Sequence, residues 1–354
     1  MILQNFKFRN KILKNRIVVS PMCQYSSRGG YPSKWHYNHL LKLITSGAGI
    51  LTLESTAVSN TGKITHQDLC LSNKFQKKKF GDLIKFLKFY EKNVPICLQI
   101  SHAGRKGSSF VPWIKSNTPL NKKNKSWQTF SASNIKKDKN WPVPKSLNKK
   151  EIKKIISDFV STAIYANQIH FDGLEIHMAH GYLLHQFLSP LSNFRNDEYG
   201  GSLKNRCKLP IEISKKIRKI WPKQKILGAR ITGTDHYPKG IEVSDAIYLA
   251  RELKKIGFDY VCVSSGGIYT KTNLKFFKGF RLNIASKIKE KTGIVTRVSG
   301  QMDDLKFANN AIKKKKIDLV AIGRKFINEP NFLFKYAKKN KIKKIINNQY
   351  LRCF

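Results

Sequence analysis

The segment RIVVSPM, residues 16–22, places three consecutive β-branched apolar residues directly before Ser20 and Pro21. A short apolar run of this kind is typical of a strand that is buried on both faces in a parallel sheet. Similar runs recur at 49–56, 95–101, 173–178, 225–232, 260–266, 294–300 and 319–324. The sequence therefore predicts eight buried strands.

Segments with helical periodicity separate these runs, for example at 80–92, 150–168, 209–220, 244–257 and 305–315. Eight alternations of strand and helix in a chain of 354 residues favour a single α/β domain, residues 1–354, folded as a (β/α)8 TIM barrel. An open doubly wound sheet is the competing architecture. In a barrel, the carboxyl ends of the strands and the loops after them form the active site.

One segment, residues 104–148, is too long for an ordinary loop and is rich in Lys, Asn, Ser and Pro. We call it the excursion. It follows the third predicted strand, so we expect it on the active-site face, partly covering the pocket. A solvated insertion without a role is the alternative. Residues 340–354 are interpreted as a C-terminal tail.

The formal net charge is +45, and 54 of the 67 basic residues are lysine. Base readout and bidentate phosphate binding favour arginine, so we interpret most of the lysines as solvated surface and do not expect nucleic acid as a partner. The six cysteines form no C-x-x-C pair, which suits reduced thiols. Without an apolar signal segment or an 18-residue apolar run, we expect a cytoplasmic protein with no membrane span.

Polar residues interrupt the apolar runs where the strands end, and a barrel would gather them at one mouth. Burying them without partners would cost about 1–3 kcal/mol each, so a large polar ligand is expected there. Gly323 and Arg324, in AIGRKF, are candidates for holding its phosphate. The full set is Ser20, Cys23, Tyr25, Glu54, Ser55, Gln99, His177, His180, Arg230, Ser265, Gly266, Arg297, Gly323 and Arg324.

Three histidines lie close together in EIHMAHGYLLHQF, residues 175–187. We do not expect a metal, because no cluster of Asp, Glu or Cys ligands lies nearby in the sequence. At a strand end, His177 and His180 could direct two N–H donors at one carbonyl oxygen, and Tyr182 could deliver a proton. A purely structural turn is the other possibility. His185 is assigned to the following helix.

Several longer motifs together resemble the old yellow enzyme family of FMN-dependent ene-reductases. Within that family, the chain looks like the short bacterial NADPH dehydrogenases that carry a cysteine beside the flavin. The resemblance runs from about residue 3 to the C-terminus. Its carriers are LKNRIVVSPMCQYS, GAGILTLESTAVSNTGKIT, LQISHAGRK, DGLEIHMAHGYLLHQFLSPLSNFRNDEYGGSLKNR, GARITGTD, VSSGG and AIGRKFINEP.

The resemblance implies a role for each matching residue. FMN would be held without a covalent bond, with Cys23 near its reactive N5 and the His177–His180 pair on the substrate oxygen, while Tyr182 and Tyr25 stand over the ring. The implied cofactor-binding set is Ser20, Pro21, Met22, Cys23, Ser55, Gln99, Arg230, Arg297, Gly323 and Arg324, with Arg297 acting at the phosphate through the backbone around it.

The implied reaction takes a hydride from NADPH to FMN and then to the β-carbon of an α,β-unsaturated carbonyl compound. The resemblance also implies at least a dimer, because the tail of this subclass lends an arginine, here Arg352, to the neighbouring pocket. The chain departs from the subclass at Thr296, where a glycine is expected, and at its end, where Arg352-Cys353-Phe354 replaces a Gly-Trp ending.

Three alternative functions are weighed against this interpretation. A flavin barrel acting on RNA, like the tRNA dihydrouridine synthases, would explain the charge but needs a loop cysteine and an added helical domain. A charge-driven binding protein on a decayed barrel would not take up FMN. A dienoyl-CoA reductase would need clustered cysteines for an iron–sulfur centre, and this sequence has none.

Overall fold

The computed structural model describes residues 1–8, 11–270 and 272–353. Eight parallel strands close into a barrel in sequence order, as predicted. Each strand begins and ends within three residues of its predicted bounds. The strands are β1 (Ile17–Val19), β2 (Ile50–Ala57), β3 (Ile96–Ser101), β4 (Gly173–Met178), β5 (Ile226–Thr232), β6 (Tyr260–Ser264), β7 (Val295–Ser299) and β8 (Leu319–Ile322).

Helices pack around this barrel and cover the outer faces of the strands. They are α1 (Lys34–Ile44), α2 (Lys74–Tyr90), α3 (Lys149–Gln168), α4 (Leu183–Leu188), α5 (Leu203–Arg206), α6 (Lys208–Ile220), α7 (Val243–Ile256), α8 (Leu282–Thr292), α9 (Leu305–Lys313), α10 (Arg324–Asn328) and α11 (Phe332–Lys339). The (β/α)8 TIM barrel is confirmed, and the open sheet is excluded.

Side-chain caps decide where two of the longer helices begin. Asn148 accepts a hydrogen bond from the backbone N–H of Glu151, and the Glu151 carboxylate accepts one from the Asn148 N–H, so α3 begins at Lys149. Helix α2 begins at Lys74 because Asn73 accepts from the Gln76 N–H. It therefore starts six residues before residue 80, where the apolar periodicity alone predicts its start.

An N-terminal hairpin closes the end of the barrel at which the eight strands begin. It consists of two short strands, Phe6–Phe8 and Lys11–Leu13. Phe8 and Leu13 are buried against interior side chains of the barrel, and the Phe8 ring lies 5.7 Å from the Tyr260 ring. Among the described residues, this apolar plug fills the end of the barrel at which the strands begin, and a ligand would enter at the end where they finish.

A bulge in β2 moves one carboxylate out of the regular pattern. Leu53 pairs with Leu98 and Ser55 with Gln99, so Glu54 is the extra residue. Its carboxylate accepts a hydrogen bond from the Gln24 N–H at 2.8 Å and lies 3.2 Å from His36 Nε2. Glu54 thereby fixes the loop after β1, which carries Cys23 and Tyr25.

The excursion is folded against the mouth of the barrel. Its short strand Phe130–Ser131 pairs with Lys145–Ser146, and Trp141 is buried. Arg105 donates hydrogen bonds to the carbonyls of Ile135 and Ile268, which ties the excursion to the loop after β6. Across the described residues, no helix is both long and apolar enough to cross a membrane.

Candidate active site

A cavity of about 760 Å³ opens at the carboxyl ends of the strands. Parallel strands all finish at the same rim, so residues that are distant in sequence meet there. Six of the predicted cofactor-binding residues line this cavity, namely Ser20, Pro21, Met22, Arg230, Gly323 and Arg324.

The cavity is rich in positive charge. Arg230, Arg281 and Arg324 all line it, and none of the three forms an ion pair with a described carboxylate. Arg230 Nε is buried with no described hydrogen-bond partner. Burial, together with the nearby charge of Arg230, lowers the pKa of Arg281 to about 10. These arginines fit a phosphate-bearing anion, which would offset their charge and accept their N–H groups.

The two histidines at the end of β4 converge on one another. His177 Nε2 and His180 Nδ1 lie 3.2 Å apart, and the rings are 5.0 Å apart in an edge arrangement. His177 Nδ1 accepts the Ala179 N–H, so the proton of the neutral ring belongs on Nε2. Burial, reinforced by Arg230, holds the pKa of both imidazoles well below the usual value. Both rings are therefore neutral near pH 7.

The hydroxyl of Ser264 lies 2.6 Å from His180 Nε2. If this hydroxyl donates, His180 carries its proton on Nδ1, on the side that faces His177. In that tautomer, an oxygen atom placed between the rings would accept an N–H from each; in the other tautomer, His177 Nε2–H donates to His180 Nδ1, and His180 Nε2–H donates to Ser264 Oγ.

Backbone geometry explains why His180 reaches the mouth. His180 and Gly181 both have positive φ angles, +57° and +70°, which turn the chain sharply between β4 and α4. A Cβ on Gly181 would lie 2.1 Å from the Gly267 carbonyl oxygen, so the turn has room only for glycine there.

Tyr182, the residue before α4, packs against the pair, with its ring 4.7 Å from that of His177. Burial raises the pKa of Tyr182 well above its usual value, and the nearby Cys23 and Tyr25 add to the shift. Burial, reinforced by Glu54, likewise raises the pKa of the Cys23 thiol. Both groups are therefore protonated at neutral pH, and the tyrosine retains a proton to donate.

Tyr25 has a positive φ of 48°, and its ring lies 5.9 Å from that of Trp113 in the excursion. Trp113 is exposed, so this contact is at the surface of the mouth. Burial raises the pKa of Tyr25 above its usual value. The structure thus brings Tyr25, in the loop after β1, into contact with the excursion.

Four predicted cofactor-binding residues do not line the cavity, namely Cys23, Ser55, Gln99 and Arg297. Ser55 Oγ lies 2.5 Å from Ser101 Oγ, and Gln99 Nε2 donates to Glu175. Arg297 points into the barrel interior, where it forms an ion pair with Glu175. Alternate residues of β7 face opposite sides, and this side chain faces inward and does not line the cavity. The contact between the phosphate and the backbone around Arg297 stays a prediction.

Sequence comparison identifies the family. The sequence model of the NADH:flavin oxidoreductase / NADH oxidase family matches residues 2–343. The chain belongs to this family. It is 35% identical to the NADH:flavin oxidoreductase FG08077 of Gibberella zeae over 96% of this chain and 86% of that protein. It is 33% identical to the NADPH dehydrogenase of Clostridium acetobutylicum over 100% of this chain and 99% of that protein.

The fold of this flavin oxidoreductase is also that of a solved relative. The old yellow enzyme homologue of Zymomonas mobilis superposes with a TM-score of 0.80, over 96% of this chain and 92% of that one, at 20% identity. The resemblance to the old yellow enzyme family is confirmed. The protein is an oxidoreductase that uses FMN and NAD(P)H. These matches do not favour the RNA-modifying alternative.

The flavin oxidoreductase contains functional candidates that the sequence analysis did not assign. Lys106 Nζ donates to the His180 carbonyl oxygen at 2.8 Å and lies 5.3 Å from the Tyr182 ring centre. Burial, with Lys137 and Arg105 nearby, lowers the pKa of Lys106 to about 7. The signal was present in HAGRK, where two cations follow a buried strand. Arg281 was missed because its segment carries no strand-end pattern.

His185 lies in α4, as predicted, and pairs with Asp235 at 2.8 Å, where both side chains are fully buried. It is therefore part of the scaffold of this flavin oxidoreductase. Within the described residues, no three His, Cys, Asp or Glu side chains are grouped to hold a metal ion. Arg352 lies exposed in the final turn, Asn348–Cys353.

Proposed function

We propose that this protein is an ene-reductase that uses FMN and NADPH to reduce the carbon–carbon double bond of small α,β-unsaturated carbonyl compounds. The observation that carries the proposal is the convergence of His177 Nε2 and His180 Nδ1, 3.2 Å apart, beside the protonated Tyr182. This constellation suits a substrate whose oxygen gains negative charge during the reaction.

The arginine-lined cavity is the proposed site for the phosphate end of FMN. Arg324 would pair with the phosphate, and Arg230 would offset negative charge on the reduced ring. Gly323 leaves space for a close approach, since a Cβ there would already lie 3.0 Å from Met22 Sδ. When bound, FMN would supply the hydride transfer from NADPH to the β-carbon of the alkene.

The histidine pair would bind the carbonyl oxygen of the substrate through two N–H donors. Because both imidazoles are held neutral, they polarise the carbonyl without surrendering a proton to it. Tyr182 would donate its hydroxyl proton to the α-carbon, and solvent would restore that proton. Cys23, as a thiol, would lie against the flavin and influence its reduction potential.

The test is an anaerobic titration followed by flavin absorbance. NADPH should bleach the oxidised spectrum, and adding 2-cyclohexenone should restore it. A protein that bleaches but is not reoxidised by the enone would retain the flavin and NADPH half-reaction while contradicting the proposed alkene substrate. NADH in place of NADPH measures the nucleotide preference in the same experiment.

A further inference from the structure

An ion pair lies inside the barrel, between the apolar plug and the active-site mouth. Glu175 of β4 and Arg297 of β7 are 0% and 1% exposed, and Arg297 Nη2 donates to Glu175 Oε2. Tyr260 donates its hydroxyl to the same oxygen at 2.8 Å, and its ring lies 4.7 Å from the guanidinium. Removing two charges from water is costly, and a buried pair is often no better than an apolar replacement. The pair therefore calls for an explanation other than stability.

The second oxygen of Glu175 contacts a residue that we assign to the cofactor. Gln99, on the neighbouring strand and in register with Glu175, donates from Nε2 to Glu175 Oε1 at 2.7 Å. An ionised carboxylate only accepts hydrogen bonds. The amide group that faces Glu175 must therefore be the NH₂, and the carbonyl oxygen of Gln99 must face away from it. No described residue donates to that carbonyl oxygen.

We propose that Glu175, paired with Arg297, is a positioning residue that fixes the amide of Gln99 so that its oxygen faces the flavin. The inference rests on the proposed FMN site. The oxidised flavin ring has one N–H donor, at N3, while its other polar edge atoms accept hydrogen bonds. A Gln99 held in this orientation would accept from N3–H, whereas a flipped amide would present NH₂ to that donor.

Arg297 is needed in this arrangement because of its charge. A buried carboxyl group without a cation favours its neutral form, which carries an O–H donor. Such a group could bind either end of the Gln99 amide, and the orientation of Gln99 would no longer be specified. Arg297 therefore acts on the flavin through two intervening side chains, Glu175 and Gln99, and not through contact with the phosphate.

The test compares FMN with its 3-methyl analogue, which lacks the N3–H donor. Binding of each to the apoprotein is measured by quenching of flavin fluorescence. The variant Glu175→Gln removes the ionised acceptor, and the double variant Glu175→Gln/Arg297→Met also removes the arginine that would otherwise be left buried and unpaired. Gln99→Met serves as the reference that lacks the hydrogen bond altogether.

The quantity compared is the dissociation constant of the 3-methyl analogue divided by that of FMN. We expect this ratio to be about five- to tenfold higher in the native protein than in Gln99→Met, because one hydrogen bond is lost. In the double variant, this ratio should fall toward that of Gln99→Met. The steric cost of the methyl group is the same in all the proteins and so does not affect the comparison between them. A folded double variant that keeps the native ratio would overturn the proposal. Because no substrate is present, this outcome is independent of whether 2-cyclohexenone is reduced.

Discussion

The two active-site histidines are distinguished by their hydrogen bonds. His177 receives the Ala179 N–H on Nδ1, whereas His180 meets the Ser264 hydroxyl on Nε2. The different partners leave Nε2 of one ring and Nδ1 of the other facing a common point. This complementarity arises because His177 lies next to the last residue of a strand and His180 lies in a turn with positive φ.

We predict that replacing both histidines, His177→Ala with His180→Ala, weakens the binding of para-substituted phenols by about 100-fold, the loss of two hydrogen bonds to a charged oxygen. The measurement is the change in flavin absorbance on phenol addition. FMN content should stay unchanged, as should phenol binding in the matched variant His66→Ala, whose histidine is exposed. Undiminished phenol binding in the double variant would contradict the role given to the pair.

Lys106 makes stability depend on pH. Its pKa is about 7 in the folded protein and near 10.5 in the unfolded chain, so between these values the unfolded chain binds more protons. The free energy of unfolding should therefore rise between pH 7 and pH 9 more in the native protein than in Lys106→Met. Urea titrations at both pH values measure this difference, and an equal rise in the two proteins would refute the assignment.

At the scale of elements, the N-terminal hairpin closes the barrel. Phe8 is 3% exposed and packs on Tyr260, whose hydroxyl binds Glu175, so the plug also supports the ion pair above it. A parallel barrel needs such closure because its interior is a packed core and not a pore.

We predict that Phe8→Ala lowers the free energy of unfolding by about 3 kcal/mol, since a buried ring is lost and a cavity remains. Ile12→Ala is the matched control. Ile12 lies in the same hairpin but is 69% exposed, so its loss should change stability by less than about 0.5 kcal/mol. Denaturant unfolding of both variants decides the point, and equal effects would show that the hairpin does not plug the barrel.

At the scale of the whole molecule, the lysine excess lies on solvated helix faces. Lys78 of α2, Lys153 and Lys154 of α3, and Lys215 and Lys216 of α6 are all exposed. Such charge raises the potential over the surface, and Lys153, Lys215 and Lys216 line one cavity between α3 and α6. The expectations that the protein is cytoplasmic and does not bind nucleic acid stay predictions.

The exposed Arg352 in the final turn bears on assembly. We predict at least a dimer in solution, with this arginine reaching the pocket of the neighbouring subunit. Light scattering measures the mass, and Arg352→Ala should raise the KM for the enone several-fold, whereas exposed Lys339→Ala should not. A strictly monomeric protein, or unchanged kinetics in Arg352→Ala, would remove this claim.

For the excursion, the sequence predicts the position of the segment but not its internal structure. Its length and its position after the third strand predict a segment at the mouth, and Arg105 at its start donates a hydrogen bond to the Ile268 carbonyl in the loop after β6. Its internal pairing of Phe130–Ser131 with Lys145–Ser146 was not predicted, because two-residue strands carry no measurable period. The approach of Trp113 to Tyr25 was equally inaccessible from the sequence.

The sequence by itself determined the barrel, the family and the residues at the rim. The hydrophobic periodicity of strands and helices is a local property of the sequence. Because parallel strands of a barrel end at the same rim, the sequence predicts that Arg230 and Arg324 lie at that rim. Only the tertiary structure decided which buried groups become partners. Arg297 pairs with Glu175, and Lys106 with the His180 carbonyl, because strand register and the sense in which each side chain points fix those contacts. Both depend on residues separated by more than seventy positions, which no local pattern records.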